Sequence, residues 1–181
     1  MTDIKVIADE YIQIAQENFG LMCSEWDYVG VEINDMKPHL RYYPEDGCVA
    51  ISLSEKIMDN DVQLHFQLAH EVCHLLYPTM NLNGEREATT VLNEGVSTYF
   101  SVWAAGRLCS QDYLIDNLKQ HSQNYYRAMI SVNELLEKNQ QAIKLLRDLE
   151  PKLNMLSVQN FKQSKVLASE ALVHELLSDF E

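Results

Sequence analysis

The amino-acid sequence predicts an α+β fold, mostly α, in which a small antiparallel sheet precedes a set of helices. Three observations predict it. Residues 3–19 place Ile4, Ile7, Ala8, Tyr11, Ile12, Ala15 and Phe19 at helical spacing. Between Tyr28 and Leu53 the apolar period shortens to two, as strands require. From Asp61 helical periodicity returns and continues, broken by short turns, to the end of the chain.

Taken in order, the first helix closes at Gly20. Tyr28–Ile33 reads as a first strand and Leu40–Tyr43 as a second. The third is Cys48–Leu53, with Val49, Ile51 and Leu53 alternating; Pro44-Glu45-Asp46-Gly47 marks the turn between the last two. Asp61 can cap the next helix, which Val62 to Ala69 leads in and Pro78 stops. Its apolar residues spread around much of the circumference, so it is expected to be buried on several sides. After the loop Thr79–Gly84, Glu85 to about Gly106 reads as one helix. Gly95 inside it costs ~1 kcal/mol against Ala; a close approach to the preceding helix or to a substrate would explain it. Beyond Ser110 helices are expected over 111–129 and 132–149, then one or two after Pro151. Leu135, Leu136, Ile143, Leu146 and Leu149 form one apolar stripe, and Val166, Leu167, Ala171, Leu172, Leu176 and Leu177 another. Both are expected to pack over the rest of the chain.

The 181 residues read as a single domain: a helix and small sheet over 1–60, two central helices over 61–106 and a helical part over 107–181. The formal net charge of −13 argues against a nucleic acid or an anionic membrane as partner, since either calls for a basic face. No stretch is apolar for the ~20 residues that a membrane helix needs. The N-terminus lacks the basic start and apolar run of a signal peptide, and no long leader resembles a removable pro-segment. Cys23, Cys48, Cys73 and Cys109 are scattered without a CxxC pair and read as free thiols. The expected compartment is therefore the cytoplasm.

The chemistry concentrates in His70-Glu71-Val72-Cys73-His74, an HExxH pattern. Histidines at i and i+4 share one helix face and can hold one Zn²⁺ from the same side. Glu71, next to the first, can act as general base on a zinc-activated water. The alternative is an ordinary buried helix with two satisfied histidines. A candidate third ligand favours the metal: Glu94, separated from His74 by nineteen residues, within Leu92-Asn93-Glu94-Gly95 and followed by Thr98-Tyr99-Phe100.

From about Val62 to Phe100 the sequence resembles the gluzincins, metallopeptidases whose zinc is held by HExxH and a glutamate on a following helix. The thermolysin branch has the nineteen-residue gap; the zinc aminopeptidase branch has eighteen but a ligand sequence close to this one. The resemblance implies a zincin-like fold and one zinc per chain on His70, His74 and Glu94. It implies hydrolysis of a peptide or protein substrate. Glu87 is the competing third ligand, as in the small intracellular peptidases that cleave phage-type repressors.

The resemblance also implies a substrate bound along an edge strand, for which Cys48–Leu53 is the candidate. It implies a downstream Tyr or His that stabilises the oxyanion: His121, Tyr125 or Tyr126, with Tyr113 behind them. His121 and Tyr125, at i and i+4, are expected to point together at the cleft. Thr98 stands where thermolysin-like enzymes have an aspartate orienting a ligand histidine, and Asn93 is the other nearby polar group. Cys73 is expected to be a small buried thiol, and His39, His65 and His174 lack metal spacing. Residues 1–60 contain nothing like the Gly-x-Met-Glu-Asn stretch with which zinc aminopeptidases grip a free amine, so an endopeptidase is preferred. The alternatives are a regulatory peptidase with one protein target and a non-catalytic zinc-binding interaction module.

Overall fold

Two apolar faces meet in the middle of the chain and set the architecture, which a computed structural model describes for residues 3–181. Eight α-helices and three strands follow the expected α+β, mostly helical plan. Helix α1 (Ile4–Phe19) starts at Asp3, whose side chain accepts from the Lys5 N–H, and buries Ile7, Ala8, Tyr11, Ile12, Ala15 and Phe19. Strands β1 (Asp27–Asn34), β2 (His39–Tyr43) and β3 (Cys48–Ser54) follow. Helices α2 (Asp61–Leu76) and α3 (Val91–Ala105) form the centre. Helices α4 (Gln111–His121), α5 (Gln123–Lys138), α6 (Ala142–Arg147), α7 (Val158–Ser164) and α8 (Glu170–Leu176) complete the chain.

The sheet differs from the expected antiparallel one. Its order is β1-β3-β2: β3 runs antiparallel to β2 but parallel to β1. The reason lies in the strands' composition. Six of the seven residues of β3 are buried, on both faces, as befits a central strand. β2, His-Leu-Arg-Tyr-Tyr, has no fully buried residue and takes an outer place. Cys48–Leu53 is thus not the edge strand: both its edges are paired, and β2 is the outer strand beside α2. β1 bulges between Tyr28 and Val31, where Gly30 adopts φ 119°.

Several helix boundaries also move. Asn60, rather than Asp61, caps α2, its side chain accepting from the Gln63 N–H at 3.1 Å. The helix expected from Glu85 begins only at Val91; residues 79–90 instead form a loop closed by a bridge between Met80 and Arg86. The expected helix 111–129 breaks at Ser122 (φ −148°, ψ 60°), and α5 then runs unbroken through the expected gap at 130–131. Within the stripes, Leu135, Leu136, Ile143, Leu146, Val166, Leu172 and Leu176 are buried, whereas Leu149 and Leu167 are exposed.

Helix α3 packs against α2 on one side and α5 on the other. That explains Gly95 differently from expectation. A Cβ there would lie 2.5 Å from the Ala128 carbonyl oxygen and 2.6 Å from Val132 Cγ2, both on α5. The close approach is therefore to α5, not to α2 or a substrate. Gly95→Ala should destabilise the fold by roughly 1–3 kcal/mol through overpacking, less the ~1 kcal/mol of helix propensity it returns. A urea midpoint at or above that of the parent protein would contradict this.

The last thirty residues belong to the core rather than to a detachable lid. Leu153, Leu156, Phe161, Val166, Leu172, Val173 and Leu176 are buried in the main apolar cluster. Among the described residues no helix is long and apolar enough to cross a membrane. All four cysteines are unpaired, and Cys73 is buried.

Candidate metal centre

Helix α2 presents His70 and His74 one turn apart on the side facing α3, and α3 brings Glu94 to meet them in its first turn. His70 Nε2 and His74 Nε2 lie 3.1 Å apart, and Glu94 Oε2 is 3.3 Å from the first and 3.5 Å from the second. A tetrahedral ion bonded to two nitrogens and an oxygen at 2.0–2.2 Å would separate its donors by about 3.3–3.5 Å. The three donor atoms converge on such an ion, and the His70–His74–Glu94 group could hold a metal. Two imidazoles and one carboxylate form an open set suited to a borderline divalent cation.

The local sequence explains this placement. Thr90 caps α3 by accepting from the Asn93 N–H, so the helix begins just before Glu94 and its positive N-terminal end favours a carboxylate there. The hydroxyl of Thr89 donates to Glu94 Oε1 at 3.0 Å. With one oxygen held by Thr89, the other is left to face the histidines. Burial alone would raise the pKa of Glu94, but the charge and hydrogen bonds of His74 and His70 outweigh it and hold the carboxyl well below its usual range. His74 is shifted the other way: burial disfavours its charged form, yet the Glu94 carboxylate prevails and raises it.

Glu71 lies beside the group and lines the same cavity, of about 300 Å³, as His70, His74 and Glu94. It is 5% exposed. Burial pushes its pKa up; the two imidazoles pull it back only in part, and Glu94 adds to the rise.

Of the three expected oxyanion donors, the structure brings only Tyr125 to the centre. Its ring stands edge-on to His70 with centroids 5.9 Å apart. Burial, then the charges of Glu94 and Glu71, raise its pKa, so the hydroxyl stays protonated and able to donate at neutral pH. Phe180 packs on its other side at 4.8 Å, in a tail whose backbone N–H donates to the Thr89 carbonyl. Tyr126 faces a separate small apolar cluster with Lys119 over its ring. His121 is exposed and, because the chain breaks at Ser122, is not in one helix with Tyr125.

Glu87 is not part of the group. Its carboxylate receives Lys152 Nζ at 3.1 Å and Asn154 Nδ2 at 3.1 Å. It reaches neither histidine because helix α3 starts after it, which removes the expected seven-residue register with Glu94. Glu94→Ala should therefore lower metal affinity by more than about 100-fold, since even loss of a ligand's supporting partner costs 10–100-fold. Glu87→Ala should retain the metal. Metal content after dialysis, by mass spectrometry, checks both; metal loss in the Glu87 variant alone would reverse the assignment.

Thr98 Oγ1 and Asn93 Nδ2 are buried without a partner. Thr98 lines a second cavity that also touches His70, Glu71 and Tyr125. Sequence reasoning missed Thr89, Tyr42, His39 and Arg86, all bordering the first cavity. For Thr89 the signal was its place beside the capping Thr90; the others come from a strand and a loop whose partners are distant in sequence. No protein-family model matches the chain. A search of curated proteins found no match. Among solved structures none matches either.

Proposed function

We propose that the protein is a zinc-dependent peptidase of gluzincin type, an endopeptidase in preference to an aminopeptidase. One observation carries the reading: a buried carboxylate, Glu71, lines the same cavity as a convergent His-His-Glu group. A purely structural metal site has no use for such a base.

Bound there, zinc would supply a Lewis acid for the scissile carbonyl and make water acidic enough to attack near neutral pH. Glu71, in the same cavity as the three donors, takes the proton of the attacking water and returns it to the leaving amine. Tyr125 donates a hydrogen bond to the oxygen on which charge develops. Thr89 keeps the Glu94 carboxylate turned toward the histidines. Strand β2 borders the cavity at His39, Leu40 and Tyr42, with Pro38 just before it, and its unpaired edge offers backbone groups to an extended peptide, the part first expected of β3. Tyr42 supports that wall by packing on Trp26 at 4.9 Å. A cytoplasmic setting belongs to the same reading, supported by four unpaired thiols.

The test is metal content together with cleavage of a peptide library by the reconstituted protein. About one zinc per chain with cleavage at internal bonds is the expected result. A protein that takes up no zinc at neutral pH, or takes it up and cleaves nothing, would overturn the reading.

A further inference from the structure

The chain as a whole is strongly acidic, with a net charge of −13, and Glu71, Glu87 and Glu94 line the first cavity, yet cations border the cleft as well. The two cavities that meet at His70, Glu71 and Tyr125 each border one flexible cation: Arg86 on the first and Lys37 on the second. Among the described residues no carboxylate lies within 4.0 Å of either. The acidic groups of the cleft are already engaged. Glu94 faces the histidines, and Glu87 is taken up by Lys152 and Asn154. Glu71 is buried at the centre.

Arg86 is also positioned. The loop that bears it is closed by the Met80–Arg86 bridge and by the Glu87 N–H donating to the Thr79 carbonyl at 2.8 Å. Its far side is tied down by Trp26 Nε1, which donates to the Met80 carbonyl at 3.1 Å. Arg86, exposed, thus borders the same cavity as Tyr42 of β2. A guanidinium with no internal acceptor matches a carboxylate in a two-pronged, charge-assisted pair. The acidic surface elsewhere does not cancel this, because exposed charges beyond about 8–10 Å are screened at physiological ionic strength.

We infer that Arg86 is a specificity-determining residue that receives a carboxylate of the bound peptide, so that the cleft selects anionic rather than basic segments. The inference rests on the peptidase reading for the kind of ligand, but its test does not depend on turnover. Zinc-loaded Glu71→Gln protein is used to capture peptides from a random library, made once with free C-termini and once amidated, and the retained peptides are sequenced by mass spectrometry. Asp and Glu should be enriched about five- to tenfold at one position over Lys and Arg. The enrichment should vanish in the Glu71→Gln, Arg86→Gln double variant and turn toward Lys with Arg86→Glu. Enrichment in both libraries identifies an acidic side chain as the source. Retention that needs a free terminus identifies the α-carboxylate, and either result supports the inference. Enrichment unchanged by Arg86→Gln would mean that carboxylates go to the metal, and overturns it. So would enrichment of basic residues, retention that depends on neither an acidic side chain nor a free C-terminus, or no retained peptide. If acidic peptides are retained through Arg86 but the wild-type protein never cleaves them, the peptidase reading falls while this inference stands.

Discussion

Glu71→Gln is expected to keep its zinc and lose peptide hydrolysis by about 10²–10⁴-fold, the usual weight of a positioned general base. The substitution is nearly isosteric and removes only the capacity to take a proton. The three convergent donors are left intact, since Glu71 is not one of them. Its surroundings also predict a stable variant. The carboxylate is 5% exposed and burial already raises its pKa, so replacing it with a neutral amide removes a desolvation cost. Metal content, thermal midpoint and cleavage rate should be measured together. Activity within tenfold of the parent would show that Glu71 is not the base. Loss of metal would show that it is part of the donor set after all. A Tyr125→Phe variant measured beside it should fall less steeply, by the loss of one hydrogen bond to the developing charge and with the metal untouched.

The parts of the centre legible in the sequence are those fixed by local geometry. Two histidines one turn apart need only a helix to share a face, and the run from Val62 to Leu76 is helical on any reading of its periodicity. Glu94 was reachable because its flanking residues and its distance from His74 are both written in the chain. The third-ligand ambiguity arose from one boundary. Glu85–Thr90 has helix-compatible composition, yet its backbone pairs with Thr79 across a local loop and with the distant Asp179 and Phe180. No local pattern reveals such partners. The parallel pairing of β1 with β3, against the expected antiparallel sheet, was hidden for the same reason. The short link from Asn34 to His39 suggests that β1 and β2 are neighbours, but β3 lies between them. The signal that was present, the alternation of Val49, Ile51 and Leu53, concerned burial rather than connection. His121 and Tyr125 do not share a helix face because a break at Ser122, with neither Pro nor Gly to mark it, separates them.

The largest stability effect is expected at a residue with no chemical role, Arg147, which is 5% exposed. Its guanidinium donates to five backbone carbonyls. Nη1 reaches those of Phe19 and Gly20, each at 2.9 Å. Nη2 reaches Leu21 at 2.6 Å and Leu76 at 2.7 Å, and Nε reaches Pro151 at 2.9 Å. Four of these carbonyls, all but that of Pro151, lie at or just past the ends of α1 and α2, where unsatisfied C=O groups and the negative pole of each helix favour a cation. The Tyr77 ring adds a cation–π contact at 5.5 Å. One side chain thus closes two helices, one of them carrying both histidines. Arg147→Met fills a similar volume but removes all five of these donors; the Leu76 carbonyl keeps the Cys23 N–H at 3.0 Å, while the buried Phe19 and Gly20 carbonyls lose theirs. The expected loss is about 3–5 kcal/mol, much of an ordinary domain's total. At about 2–4 °C per kcal/mol for a chain of this size, the thermal midpoint should fall by roughly 6–20 °C. Arg147→Lys should recover only part of this, because three donors on a single nitrogen cannot serve five acceptors arranged around a planar fork. Because the Leu76 carbonyl ends the helix of His70 and His74, the Met variant should also hold zinc less tightly at temperatures where it is still folded. A midpoint within 2–3 °C of the parent would mean that water replaces the guanidinium, and that the two helix ends are held by apolar packing alone.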